Sequence, residues 1–201
     1  MSKMILNNQN INIVETFLKD YSKQHTGSEI ARKKQLNQKT VSNILRSLEK
    51  EGMLISTMQG RNRIYFLNLD NTEVIEFISA VEHMRTLQFY KKQPLVKEIA
   101  AKILASSTGI VVIFGSYAKG TEKKDSDLDV FIAGSYDSRK MEKVKEMYGI
   151  DISLKHYLVH YFRKALKNND PFIEEIIKEH IILSGTREFV VLLRGMRYGK
   201  D

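Results

Sequence analysis

The run "VVIFGSYAKGTEKKDSDLDVFIAG", Val111 to Gly134, decides how this chain is read. It joins an apolar stretch of strand length, a Gly115-Ser116 pair, a polar and basic loop, and carboxylates at alternate positions, Asp127 and Asp129. A charge inside a packed sheet costs several kcal/mol unless something pairs with it. The pattern therefore asks for a cation. Side chains alternate between faces in a strand such as "DLDVFI", so Asp127 and Asp129 share one face while Leu128 and Val130 take the other. Two carboxylates about 7 Å apart along the backbone suit one Mg²⁺ or a pair of them, because magnesium favours oxygen ligands and keeps water or phosphate in its other positions. Upstream, Gly115 lets backbone approach a ligand closely. Ser116 offers a hydroxyl and an N–H at the start of a short "YAKG" helix, a seat for phosphate.

Two other motifs fail on single residues. Gly115 and Gly120 have the spacing of a P-loop, but Thr121 stands where that loop needs lysine. Asp125, Asp127 and Asp129 fit positions 1, 3 and 5 of a calcium loop, but Val130 stands at the required glycine. A third carboxylate follows in "GIDISLK", where Asp151 lies between Ile150 and Ile152 on another short strand. If that strand lies beside the first, Asp151 joins Asp127 and Asp129 on one wet face.

Gly-Ser, ten residues, Asp-x-Asp and a later Asp between hydrophobics resemble the signature of the DNA polymerase β-like nucleotidyltransferase superfamily, above all its minimal nucleotidyltransferases and the related kanamycin-type enzymes. The resemblance covers about 94–198. It implies an α/β (α+β) domain with a mixed β-sheet flanked by helices, a nucleoside triphosphate (ATP first) and a two-metal Mg²⁺ site on Asp127, Asp129 and Asp151. Asp127 and Asp129 would bind metal and triphosphate, and Asp151 would act as base or activating ligand. Ser116 and the Gly115 backbone would hold the phosphates, with Lys119 and Lys124 along their path. Lys123 and Lys124 read equally well as a solvated basic loop. The implied reaction is in-line displacement of pyrophosphate by a hydroxyl of a protein or small molecule. Many minimal nucleotidyltransferases modify a HEPN-type toxin, so such a chain is one implied partner. Template-directed polymerisation is not expected of so short a chain.

The first third has a different grammar. Ile13, Val14, Phe17 and Leu18 have helical spacing, Gly27 and Ser28 open a short helix, and Val41, Ile44, Leu45 and Leu48 line a third that Gly52 ends. Two β-prone runs, 53–58 and 63–69, then flank "QGRN". Three helices and a hairpin with a basic tip resemble a winged helix-turn-helix domain of MarR-like regulators. That resemblance implies DNA in contact with Gln38, Lys39, Thr40, Ser42, Asn43 and Arg46 through the major groove. Arg61 and Arg63 would meet phosphate or the minor groove. Winged helices also dock proteins, which would make these residues a solvated helix face.

Composition agrees with this division. Residues 1–70 hold 11 Lys/Arg against 6 Asp/Glu, a net +5 of the chain's +8. There is no cysteine, which removes disulfides and thiolate metal sites. No run of about 18 apolar residues and no signal-peptide core occurs, so a cytoplasmic protein is expected. The domains are thus expected at 1–70 and 94–201, with a helical connector at 71–93. There Val74, Phe77, Val81 and Met84 are spaced either for a homodimer seam or for packing within the chain. "SLKHYLVHYFRKALKN" and "DPFIEEIIKEHIILSGTREFVVLLRG" read as amphipathic helices around an apolar break. His156 and His160 form an i, i+4 pair on the first of them, and "RGMRYGKD" reads as a basic tail. Three functions fit: a transferase with a DNA-binding module, a transcription regulator that senses nucleotide, and a modifier of a toxin.

Overall fold

The structure is a computed structural model that describes residues 7–21 and 23–197; the last four residues of the expected tail fall outside them. The chain forms two compact units, Met1–Val81 and Glu82–Asp201.

The first unit runs α1 (Asn8–Leu18), β1 (His25–Thr26), α2 (Gly27–Lys34), α3 (Gln38–Lys50), β2 (Leu54–Gln59) and β3 (Asn62–Leu67), with an antiparallel sheet ordered β1-β3-β2. Thr26, not Gly27 or Ser28, caps α2. Its hydroxyl accepts from the Glu29 amide while the Glu29 carboxylate accepts from the Thr26 amide, so two orphan donors are satisfied reciprocally. Asn37 caps α3 through the Lys39 and Thr40 amides. Val41, Leu45 and Leu48 bury the apolar stripe of α3, together with Val14, Phe17, Ile30 and Leu54. Gln59 pairs with Asn62, leaving a two-residue turn in which Gly60 takes φ 60°, a position such hairpins reserve for glycine.

Helix α4 (Glu73–Lys92) follows, and the boundary between the units falls inside it. Val74, Phe77 and Val81, spaced like a seam, are buried within the single chain.

The second unit continues with α5 (Pro94–Leu104), β4 (Ser107–Ile113), α6 (Gly115–Lys119), β5 (Leu128–Tyr136), α7 (Ser138–Tyr148), β6 (Ile152–Tyr157), α8 (Val159–Lys167), α9 (Pro171–Lys178), β7 (Ile181–Ser184) and α10 (Thr186–Arg197). Its sheet is mixed and ordered β6-β5-β4-β7, with β5 and β6 parallel and the other pairs antiparallel. Leu128, Val130 and Ile132 of β5 face a core completed by Ile99 and Ile103 of α5 and Met141 and Val144 of α7. Phe131 points to the opposite face, onto Phe162 of α8 and Phe172 of α9, with ring centroids 5.2 and 6.1 Å away. Both faces are therefore covered by helices, as α/β layering requires.

Two sequence expectations give way here. Ser153–Tyr157 is strand rather than the start of a helix, because its backbone is taken up by the parallel ladder to β5. His156 and His160 consequently sit on different elements, not one turn apart on a helix. The apolar break is itself a strand, β7, and α10 carries the chain as far as Arg197.

Within the second unit, the end of α4 is fixed by a buried charge cluster. Glu82 is 1% exposed; its carboxylate accepts from Arg85 Nη1 at 2.5 Å and from His180 Nε2 at 3.1 Å. His180 Nδ1 donates to the Ile177 carbonyl at 2.8 Å. Both imidazole nitrogens thus lie within hydrogen-bond distance of an oxygen. Burial alone would raise the Glu82 pKa, but Arg85 and His180 outweigh it and hold it at about 2. Thr86 Oγ1 donates to the Ile182 carbonyl at 2.8 Å, tying the same helix to β7.

Candidate active site

The site is built where β4 ends and where β5 and β6 begin. After Ile113 the Phe114 amide donates to the Asp129 carbonyl at 3.0 Å, so the β4–β5 ladder runs to the last residue before the turn. Gly115 then takes φ +68°, and a Cβ built on it would overlap the Asp129 carboxylate. Only glycine allows both the left-handed backbone and this approach. The five-residue α6 closes with Gly120 at φ +69°, and the Thr121 amide donates back to the Ser116 carbonyl at 3.0 Å.

The loop 120–127 returns the chain to β5. Gln93 Nε2 donates to Glu122 Oε1 at 2.5 Å, while Glu122 Oε2 is buried without a partner in the structure. Ser126 Oγ accepts from the Lys123 amide at 2.8 Å. Lys124 is exposed at the turn of this loop.

Asp127 and Asp151 stand just outside their strands rather than within them. The ladder starts at Leu128 and Ile152, where the Leu128 amide donates to the Asp151 carbonyl at 2.8 Å. One residue further in, Asp129 is paired with Ser153. The parallel register therefore sets Asp127 beside Asp151 and Asp129 beside Ser153, all on the face opposite Leu128 and Val130. Ser153 donates a side-chain hydrogen bond to the Asp129 carboxylate. Asp127 and Asp151 are exposed, and Asp129 is half-buried.

Burial lifts the pKa of Asp129, and the charges of Asp127 and Glu175 add to the lift; the Ser153 hydrogen bond and Lys119 oppose it. Glu175, on α9, was not foreseen from sequence. Its Oε1 lies 3.3 Å from Lys119 Nζ, so the lysine expected on the phosphate path is paired with a carboxylate. A helix face carrying Phe172 inward and Glu175 outward near an Asp-x-Asp strand was the signal available, but sequence alone does not say which helix covers that face.

Among the described residues no three His, Asp or Glu side chains converge tightly enough to hold an ion between them as they stand. The donor chemistry nevertheless fits Mg²⁺: the candidates are all oxygen ligands, and Asp129, whose pKa is raised first by burial and then by the charges of Asp127 and Glu175, would gain from a cation. Asp127 and Asp151, being exposed, have room to turn toward it.

Residues 96–188 match a family model described as polymerase beta, nucleotidyltransferase. The matched span runs from α5 to the start of α10, a little under half of the chain, and contains every carboxylate of the site. The match supports nucleotidyl transfer as the general chemistry of this unit. No curated protein and no solved structure matches the chain. No helix among the described residues is long and apolar enough to cross a membrane.

In the first unit, Gln38, Ser42 and Arg46 of α3 line a groove of about 490 Å³ together with Arg61 of the β2–β3 turn, Arg63 of β3, and Thr26, Gly27 and Ser28. Lys39, Thr40 and Asn43 do not line it. Arg63 Nη1 lies 3.2 Å from Glu49 Oε2, while Glu49 Oε1 accepts from Ser56 Oγ, so part of the arginine's charge is neutralised internally.

Proposed function

We propose that the second unit is a Mg²⁺-dependent nucleotidyltransferase that moves NMP from a nucleoside triphosphate, ATP first, to a hydroxyl acceptor. The observation that carries this is the seating of the Gly115 backbone against Asp129, with Asp127 and Asp151 in register beside it. Asp127 and Asp129 are the residues that would hold the metal, joined by Asp151. Bound Mg²⁺ supplies neutralisation of charge on the attacking and departing oxygens. The Gly115 backbone and Ser116 hydroxyl hold the phosphate end, and Lys119 with Lys124 balances its charge. Asp151, exposed at the mouth of β6, takes the proton from the acceptor hydroxyl. The test is incubation with each of the four α-labelled nucleoside triphosphates and Mg²⁺, with and without cell lysate. Label should reach an acceptor with the native protein and not with Asp129→Asn. No transfer by either protein, despite retained nucleotide binding, would refute turnover.

A second reading concerns the first unit, which we propose is a winged helix of the MarR-like kind that binds duplex DNA. It is favoured by the groove that joins Arg46 to Arg61 and Arg63. With transfer absent, nucleotide would act as a signal that changes DNA affinity. A mobility-shift titration with and without ATP separates the two roles.

A further inference from the structure

His25 is the one histidine of the first unit, Met1–Val81. It is therefore that unit's one side chain whose ordinary pKa puts its charge change between pH 5 and 8. The residue is 7% exposed, and the Phe17 ring of α1 meets it edge-on with centroids 5.2 Å apart. A hydrogen bond to the Thr16 backbone ties the ring to the same helix. Its Nε2 is buried with no hydrogen-bond partner among the described residues, as is Thr16 Oγ1.

A neutral imidazole tolerates this seat. An imidazolium carries N–H on both nitrogens, so it would bury a charge and leave the Nε2 donor without an acceptor. The neighbouring charges do not relieve this. Lys23, just before β1, and Lys33 of α2 oppose a positive ring. Glu29 of α2 favours one, but its carboxylate already accepts from the Thr26 amide at 2.9 Å. From α1 and β3 the residue meets Thr16, Phe17 and Tyr65, all uncharged in this pH range. Burial first, and then the two lysines, hold the His25 pKa below its ordinary 6.5.

Little else holds the strand that His25 anchors. Strand β1 is His25–Thr26 alone, paired with Tyr65 and Ile64 of β3. Thr26 is also the cap of α2, and with Gly27, Ser28 and Tyr65 it lines the groove that holds Arg46, Arg61 and Arg63. Releasing β1 would therefore move a wall of that groove while β2 and β3 stay paired with each other.

We propose that His25 is an acid-operated switch: protonation of its ring releases β1 from β3 and opens the groove of the first unit. A consequence for duplex binding rests on the winged-helix reading above; the release of β1 does not. The sign follows from linkage. The released state takes up the proton more readily than the packed one, so the packed state is complete above pH 6.5 and is lost progressively below it.

The experiment is hydrogen exchange read by mass spectrometry on the full chain at pH 7.5 and 5.5, with each rate corrected for the intrinsic effect of pH. Peptides covering β1 should open about tenfold more often at the lower pH. Peptides covering β2 should not change, which separates release of one strand from unfolding of the unit. His25→Gln, which has no proton to gain, should abolish the response. Lys33→Glu, an exposed change that puts an anion where a cation opposes the ring, should weaken it without removing the histidine. Equal opening of β1 at both pH values, the same response in His25→Gln, or an equal rise in β2 would overturn the proposal. A mobility shift with duplex DNA at the two pH values reads the groove. Binding by the native chain should fall on acidification and binding by His25→Gln should fall less. A β1 response with no duplex bound at either pH would sustain the switch and remove the DNA-binding reading. Duplex bound equally well at both pH values while β1 opens would overturn the link to the groove.

Discussion

The backbone of Gly115 lies against the side chain of Asp129, closely enough that no β-carbon fits between them. Gly120, five residues on, has nearly the same φ, +69° against +68°, but open space where its β-carbon would go. The two glycines therefore separate conformational from steric demand. Gly120→Ala should cost about 1 kcal/mol, the price of a left-handed alanine. Gly115→Ala should cost about 2–4 kcal/mol and displace Asp129 as well. Urea unfolding of both variants checks this, and equal costs would contradict the contact.

Asp129 is held with a raised pKa by burial and by Asp127 and Glu175. A carboxyl whose folded pKa lies above its unfolded value destabilises the fold where it is ionised, and the penalty fades as pH falls through the folded pKa. Asp129→Asn should accordingly raise the melting temperature at pH 7 while abolishing transfer. The gain should shrink on acidification. A thermal scan at two pH values measures it, and a lower melting temperature at pH 7 would count against the charge argument.

Ser153 supplies the hydrogen bond that favours ionised Asp129. Ser153→Ala should move the acidic limb of the transfer rate profile to higher pH. The plateau rate should change less than the position of that limb. A uniform loss at every pH would assign Ser153 a different role.

Glu82, held at about 2, contributes stability that is complete above its ordinary value of 4.5 and lost as pH falls toward 2. The second unit should loosen across that window. Glu82→Gln removes the buried anion that accepts from Arg85 and faces His180, and should cost about 3–5 kcal/mol. Circular dichroism during acid titration of both proteins tests this, and coincident curves would contradict it.

Arg46 and Arg61 line the groove of the first unit, and among the described residues no carboxylate is paired with either. Replacing both with alanine should weaken duplex binding and flatten its salt dependence by about 1.8 in slope. Arg63→Ala should matter less, because Glu49 already faces that guanidinium. Mobility shifts over a salt series give all three values.

Much of the second unit was legible because its chemistry is local. Gly115 and Ser116 lie on one turn, and Asp127 and Asp129 just before and just inside one strand, so spacing carries their geometry. Ser153–Tyr157 misled because period-2 and period-3.6 patterns overlap in a short amphipathic run, and only the neighbour β5 decides between them. Glu175 and Glu82 were illegible for another reason. Lys119 stands 56 residues from Glu175 and His180 98 residues from Glu82, and no periodicity reports such pairs. Helix α7 carried its own signals, with Asp137 accepting from the Arg139 and Lys140 amides and Gly149 ending it left-handed, but its charged face hid the two buried residues, Met141 and Val144.

The Glu82 cluster bears on how this protein can be dissected. A fragment begun at Pro94, where composition suggests a cut, or at Val96, where the family match begins, would lack Glu82, Arg85 and Thr86. His180 would then keep its place beneath α10 with its anion gone, and the Ile182 carbonyl would lose its donor. The smallest portable piece is thus longer than the recognisable motif. A fragment made for crystallisation or for fusion to another protein should start upstream of Glu82.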